Sequence, residues 1–127
     1  MKRLNLSALC LSTDAMNVAP YPPFLTLWYV VSGNTLDPNV PGVPPKQRLT
    51  RMEALRAKTV SCAWNLAQEG RLGSLEVGRH ADLIVLSDDY CSVPTDHIRS
   101  LTSVLTIVSG RIVYDADVLG IRPHEDG

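Results

Sequence analysis

No charge of either sign dominates this chain of 127 residues, in which 12 Lys and Arg side chains balance 13 Asp and Glu side chains. The sequence therefore lacks the basic stripe that nucleic acid or an anionic membrane would need. Its longest apolar stretch beyond the N-terminus, residues 24–31, is far below the roughly 20 residues of a membrane-spanning helix. Residues 4–11 imitate a signal peptide, but Asn5 and Ser7 interrupt the apolar run. We expect a soluble, cytoplasmic protein that binds neither nucleic acid nor membrane.

The sequence also lacks a CxxC pair. Its three cysteines, Cys10, Cys62 and Cys91, are odd in number and far apart. This pattern argues against a disulfide framework and favours a reducing compartment. Free cysteine most often behaves as a small core hydrophobe, so we expect all three to be buried.

What is present is the composition of an ordinary globular domain, with 45% hydrophobic and 20% charged residues. Residues 4–11 are apolar on both faces, which predicts a strand buried in a parallel sheet. The strand would end at the polar triplet Ser12, Thr13 and Asp14. The end of a fully buried strand is where α/β folds place their chemistry.

Helical signals occupy the middle of the chain. Pro22 and Pro23 suit a first helical turn, and Gly33 suits a helix end. Between them the apolar stripe consists of Phe24, Leu27, Trp28 and Val31. Thr50 and Glu53 form a capping box for a second helix. That helix is predicted to break at residues 59–60, to resume over residues 61–68 and to end at Gly70. We expect Trp28 and Trp64 to be core anchors.

The last third of the sequence is typical of β-structure. Residues 81–86 predict a strand, and residues 104–108 and 111–114 predict a hairpin around the turn Ser109-Gly110. Residues 93–100 predict a polar connection with one helical turn. We expect Asp82 to bond a neighbouring backbone group or to cap the turn. The class is therefore α+β, divided into residues 1–70, residues 71–116 and a tail of residues 117–127.

Three motifs in this order resemble the C-terminal end of the amidohydrolase superfamily. Residues 53–64 are similar to its late helix pair. Residues 73–86, G-S-L-E-V-G-R-H-A-D-L-I-V-L, resemble the family pattern G-S-L-E-x-G-K-x-A-D-L-V-V-L. Residues 104–114 resemble its final V-x-x-T-x-V-x-G-R-x-V-Y. Residues 12–14, the Pro-containing loop and Leu27-Trp28 resemble the amidohydrolase 3 branch, which includes N-substituted formamide deformylase-like enzymes.

The resemblance implies a longer enzyme with a metal-binding (β/α)8 barrel and a small β-sandwich built from both chain ends. This chain would supply the last barrel strand, the following helices and part of the sandwich. The enzyme would hydrolyse non-peptide C–N bonds in amides or cyclic amides, with zinc as the expected divalent metal and a small-molecule amide as substrate. Asp14 would occupy the position of the strand-8 aspartate, which binds metal and accepts a proton from the attacking water.

The family's H-x-H motif is missing from this chain. Its three histidines, His80, His97 and His124, lie apart without ligand spacing, so we expect surface residues. Asp14 alone cannot hold a catalytic metal, which needs about three protein ligands. If it has no catalytic role, Asp14 is a solvated turn residue or a helix N-cap.

Three interpretations of function remain open. The chain is a catalytically incomplete part of a hydrolase, a non-catalytic module left from a truncated hydrolase gene that binds itself or a partner, or one subunit of a split hydrolase. A barrel strand without its neighbours leaves two edges unpaired. We therefore expect either a homo-oligomer or assembly with a chain that carries the missing barrel.

Overall fold

The computed structural model describes residues 9–12 and 22–120. Its α-helices are α1 (Pro23–Ser32), α2 (Arg51–Lys58) and α3 (Val60–Asn65), and its strands are β1 (Leu83–Leu86), β2 (Ser103–Val108) and β3 (Arg111–Asp115). Short 3₁₀ turns lie at Pro45–Gln47 and Thr95–Ser100. Of the strand expected over residues 4–11, only residues 9–11 are described, and they belong to no strand. In the described ranges no helix is both long and apolar enough to cross a membrane.

Helix α1 follows the pattern of its sequence. Pro23 opens it, and Phe24, Leu27 and Trp28 are its buried residues. Gly33 ends it in the left-handed conformation, with φ 76°, and donates its backbone N–H to the Tyr29 carbonyl at 2.9 Å. Glycine adopts this conformation without the steric cost of a Cβ atom. The prediction for this helix is confirmed.

Helix α2 begins with the predicted capping box. The Thr50 N–H donates to Glu53 Oε2 at 2.9 Å, and the Glu53 N–H donates to Thr50 Oγ1 at 3.2 Å. The predicted break also occurs, because Thr59, with φ −118° and ψ −85°, separates α2 from α3. Helix α3 is shorter than expected and ends at Asn65, since Ala67 turns the chain with φ 54°.

The two tryptophans have different environments. Trp28 is 3% exposed and belongs to the core, as expected. Trp64 is 52% exposed, so the prediction that it anchors the core is wrong. Its position on a short helix leaves its ring outside the packed face of α3, where Ser61 and Ala63 are buried.

The three strands form one antiparallel sheet in the order β1-β2-β3. Ser109 and Gly110 join β2 to β3 with φ values of 50° and 79°, the two positive angles of a type I′ turn. Asp82 Oδ1 accepts the Ser109 N–H at 2.7 Å. The predicted hairpin and the structural role of Asp82 are therefore confirmed.

The hydrophobic core joins α1 to the segment between β1 and β2. Its buried residues are Phe24, Leu27, Trp28, Ala54, Tyr90, Val93, Ile98 and Leu101. The core thus combines residues from both sides of position 70, and the division at that position stays a prediction. The mixture of helices with an antiparallel sheet agrees with the expected α+β content.

Arg51 and Tyr90 connect α2 to the segment after β1. The Arg51 guanidinium donates to the carbonyl of Tyr90 at 2.6 Å and to the carbonyl of Val93. In return, the Tyr90 hydroxyl donates to the Arg51 carbonyl at 2.9 Å. Burial raises the pKa of Tyr90 to about 12, because it penalises the charged phenolate.

Candidate functional site

The sequence-predicted site residue, Asp14, lies outside the described residues, as do Thr13 and His124. The other histidines are separated in the structure. His80 Nε2 lies 3.0 Å from Arg71 Nη2, and His97 is exposed in the 3₁₀ turn. Within residues 9–12 and 22–120, no group of three His, Cys, Asp or Glu side chains is placed to hold a metal ion. The donor set available there does not fit a catalytic metal, which needs about three protein ligands.

The segment that leads to Asp14 is fixed against the helices. The Leu11 N–H donates to the carbonyl of Ala57, near the end of α2, at 3.0 Å. Beside this hydrogen bond, Cys10 and Cys62 form a disulfide with their Cα atoms 4.8 Å apart. Residues 10–11 are therefore held by both a covalent bond and a backbone hydrogen bond.

The disulfide corrects the expectation for the cysteines. Cys10 and Cys62 are 52 positions apart, and their pairing depends on a tertiary contact that the spacing could not reveal. None of the three cysteines is a buried core residue, since Cys10 and Cys91 are exposed and Cys62 is half-buried. Cys91 is a free thiol.

Ser12 lies at a small cavity against α1. The cavity has a volume of about 260 Å³ and is lined by Ser12, Leu25, Thr26, Trp28, Tyr29, Thr35 and Leu36. Its described wall is mostly apolar, with hydroxyl groups as its main polar side chains. Such a wall can accommodate a small apolar group, but it carries no carboxylate or imidazole for acid–base chemistry.

A larger, mainly apolar groove of about 930 Å³ runs between the helices and β1. Leu27 and Leu55 contribute from the helices, and Leu83 and Ile84 contribute from the sheet. Lys58 also lines the groove, and burial lowers the pKa of its ammonium group because the charged form is partly removed from water.

A polar cleft of about 650 Å³ lies at the other end of α1. Both arginines of its described lining are held in place. Arg48 Nε donates to the Val43 carbonyl at 3.1 Å, and the Arg99 guanidinium lies 5.1 Å from the centre of the Trp28 ring. The Trp28 indole N–H donates to Asp96 Oδ1 at 3.1 Å. Sequence patterns alone did not reveal this cleft, because its lining comes from three separate segments.

Comparison with known proteins gives a match to a family model over most of the chain. The amidohydrolase family model matches residues 7–114. The chain belongs to the amidohydrolase family. The resemblance inferred from residues 53–64, 73–86 and 104–114 is therefore confirmed.

Two amidohydrolase relatives give the scale of the match. The chain is 32% identical over 97 residues to N-substituted formamide deformylase of Arthrobacter pascens, which covers 75% of this chain and 17% of that protein. It is 35% identical over 75 residues to 5-methylthioadenosine/S-adenosylhomocysteine deaminase of Symbiobacterium thermophilum, covering 52% of this chain and 17% of that protein. The chain thus spans less than a fifth of the length of either relative. No solved structure matches it.

Two amidohydrolase motif residues have structural roles in this chain. Gly73 adopts φ 88° against α3, and a Cβ atom there would lie 2.8 Å from Ala63 Cβ and 3.0 Å from Val60 Cα. Asp82, in the A-D-L part of the same motif, bonds the hairpin turn through Ser109. Both positions therefore maintain the scaffold.

Proposed function

We propose that this chain is the C-terminal part of a metal-dependent amidohydrolase that hydrolyses non-peptide C–N bonds in amides or cyclic amides. It would supply the last strand of a (β/α)8 barrel, the following helices and strands of a small β-sandwich. The observation that supports this proposal is the family match over residues 7–114. The similarity to an N-substituted formamide deformylase makes small amides the first substrate class to test. We further propose that the enzyme is cytoplasmic and uses zinc.

We propose that Asp14 is a catalytic residue of this enzyme. Its carboxylate would serve as a metal ligand and accept a proton from the attacking water, as general bases do. A single carboxylate is not a catalytic centre, because a catalytic metal takes about three protein ligands. We therefore propose that the 127 residues alone are catalytically incomplete, and that the remaining ligands come from a preceding barrel or from a separate chain.

A chimera tests this assignment. The matching segment of the Arthrobacter pascens enzyme would be replaced by this chain, and hydrolysis of an N-substituted formamide would be measured. Asp14→Asn should lower kcat/KM by about 10²–10⁴-fold, the usual contribution of a general base. The matched control Asp117→Asn changes an exposed carboxylate and should leave the rate unchanged.

The rates of the Asp14→Asn and Asp117→Asn chimeras show whether Asp14 takes part in the reaction. If an active chimera kept its rate after Asp14→Asn, the role of Asp14 would be refuted. Metal-dependent amide hydrolysis by the pure 127-residue chain would refute its catalytic incompleteness. Activity restored by co-expression with a separate chain that carries H-x-H would favour the split enzyme over a continuous one.

A non-catalytic, self-associating module is the alternative, and the sheet provides a specific reason for it. In the described part of the chain β1 and β3 are both edge strands, and β3 exposes Val113 and Tyr114. An exposed apolar edge favours pairing with another chain. Under this alternative, sedimentation should show a dimer or larger species that Val113→Lys weakens. A stable monomer at all concentrations would contradict it.

A further inference from the structure

The Cys10–Cys62 disulfide is exposed on one side. Cys10 is exposed to solvent, whereas Cys62 is half-buried on α3 and lines the apolar groove. The Cα separation of 4.8 Å lies within the range that disulfides normally span. A small thiolate from solution can therefore approach the Cys10 sulfur without opening the core.

This bond is the covalent link between the segment of residues 9–12 and helix α3. In this segment the Leu11 N–H donates to the Ala57 carbonyl at 3.0 Å, and the Leu11 carbonyl lies 3.7 Å from Cys62 Sγ. The neighbouring residue Cys10 carries the covalent connection to α3. Breaking the disulfide would remove the covalent link between residue 10 and α3.

We propose that Cys10 and Cys62 are a site of reversible thiol oxidation that fixes residues 10–12 against α2 and α3. In the oxidising direction, the two thiols react with one glutathione disulfide to give the protein disulfide and two glutathione thiols. In the reducing direction, a glutathione thiolate attacks Cys10 Sγ and Cys62 leaves as a thiolate. A second glutathione then attacks the mixed disulfide, which releases Cys10 and glutathione disulfide.

The proposed oxidation site does not depend on the hydrolase proposal. If Asp14 has the role proposed above, the same bond would also control the position of the chain that leads to it, and this consequence alone rests on the proposed function. In a reducing compartment the pair would be two thiols until an oxidant such as glutathione disulfide accumulates.

The experiment uses the full chain with Cys91→Ser, so that the pair alone can react. The protein would be equilibrated in glutathione buffers of increasing oxidised fraction, and the free thiols and intact mass would be measured. The amide exchange rate of Leu11 would be measured in both redox states. We expect monomers to lose two thiols together, and Leu11 to exchange at least tenfold more slowly in the oxidised form.

The control protein carries Cys10→Ser in addition to Cys91→Ser. Because Cys10 is exposed, this variant should still fold. If that variant does not fold, Cys62→Ser serves the same purpose, because either change removes the partner. The control should form no intramolecular disulfide, and its Leu11 exchange should not respond to the buffer. The proposal is overturned if the pair does not oxidise, if it oxidises only between chains, or if Leu11 exchange is the same in both states.

Discussion

Replacement of Gly73 by alanine tests whether the turn after α3 is as tightly packed as the structure indicates. The change would place a Cβ atom 2.8 Å from Ala63 Cβ and 3.0 Å from Val60 Cα. It would also force alanine to adopt φ 88°. A left-handed conformation costs a non-glycine residue about 1–2 kcal/mol, and overpacking adds about 1–3 kcal/mol. We expect Gly73→Ala to lower the free energy of unfolding by about 2–5 kcal/mol.

Gly78 provides a matched control. It has a similar φ of 90°, but a Cβ atom there would meet nothing within 4 Å. Gly78→Ala should therefore cost only the conformational part, about 1–2 kcal/mol. Urea unfolding followed by tryptophan fluorescence would measure both variants against the parent chain. Equal unfolding free energies for the two variants would refute the close approach of Gly73 to α3.

Two further predictions concern the buried Tyr90 side chain and the bond between Asp82 and the hairpin turn. Tyr90, whose pKa is raised to about 12 from the ordinary 10.0, holds its proton more tightly in the folded state. Its contribution to the free energy of unfolding should be complete below pH 10 and be lost as the pH rises toward 12. Urea unfolding from pH 8 to 12 should show this decline in the parent chain but not in Tyr90→Phe. Asp82→Ala should cost about 1 kcal/mol by removing the acceptor of the Ser109 N–H, whereas Asp82→Asn should keep most of the stability; equal losses in thermal unfolding would contradict this.

The local elements were predictable from the sequence because their signals are short-range. Proline at the start of α1, the Thr50–Glu53 capping box and the positive-φ turn at Ser109-Gly110 each act within a few residues. In these cases the backbone geometry demands particular residue types, so the residue types reveal the geometry. For Asp82 the sequence predicted a bond to a backbone group or to the turn, but its partner Ser109, 27 positions away, became known only from the structure.

Features that depend on packing between distant segments could not be predicted in this way. The pairing of Cys10 with Cys62 requires knowing that residue 11 lies against the end of α2. Trp64 carries the apolar signal of a core residue, yet the packed face of α3 excludes it. For the candidate site, the family motifs that contain Gly73 and Asp82 point to residues that maintain the scaffold. The catalytic role proposed for Asp14 is supported only by the resemblance to the family.

Elemental analysis of the purified chain tests whether these 127 residues can hold a catalytic metal on their own. Zinc would be supplied during purification and then measured in the parent chain, in Asp14→Asn and in the control Asp117→Asn. Asn is tolerated at position 117, where φ is 68°. We expect far less than one metal ion per chain in all three proteins, because we propose that the other ligands come from a preceding barrel or a separate chain. Near-stoichiometric zinc that is lost only in Asp14→Asn would contradict the claim that the chain is catalytically incomplete.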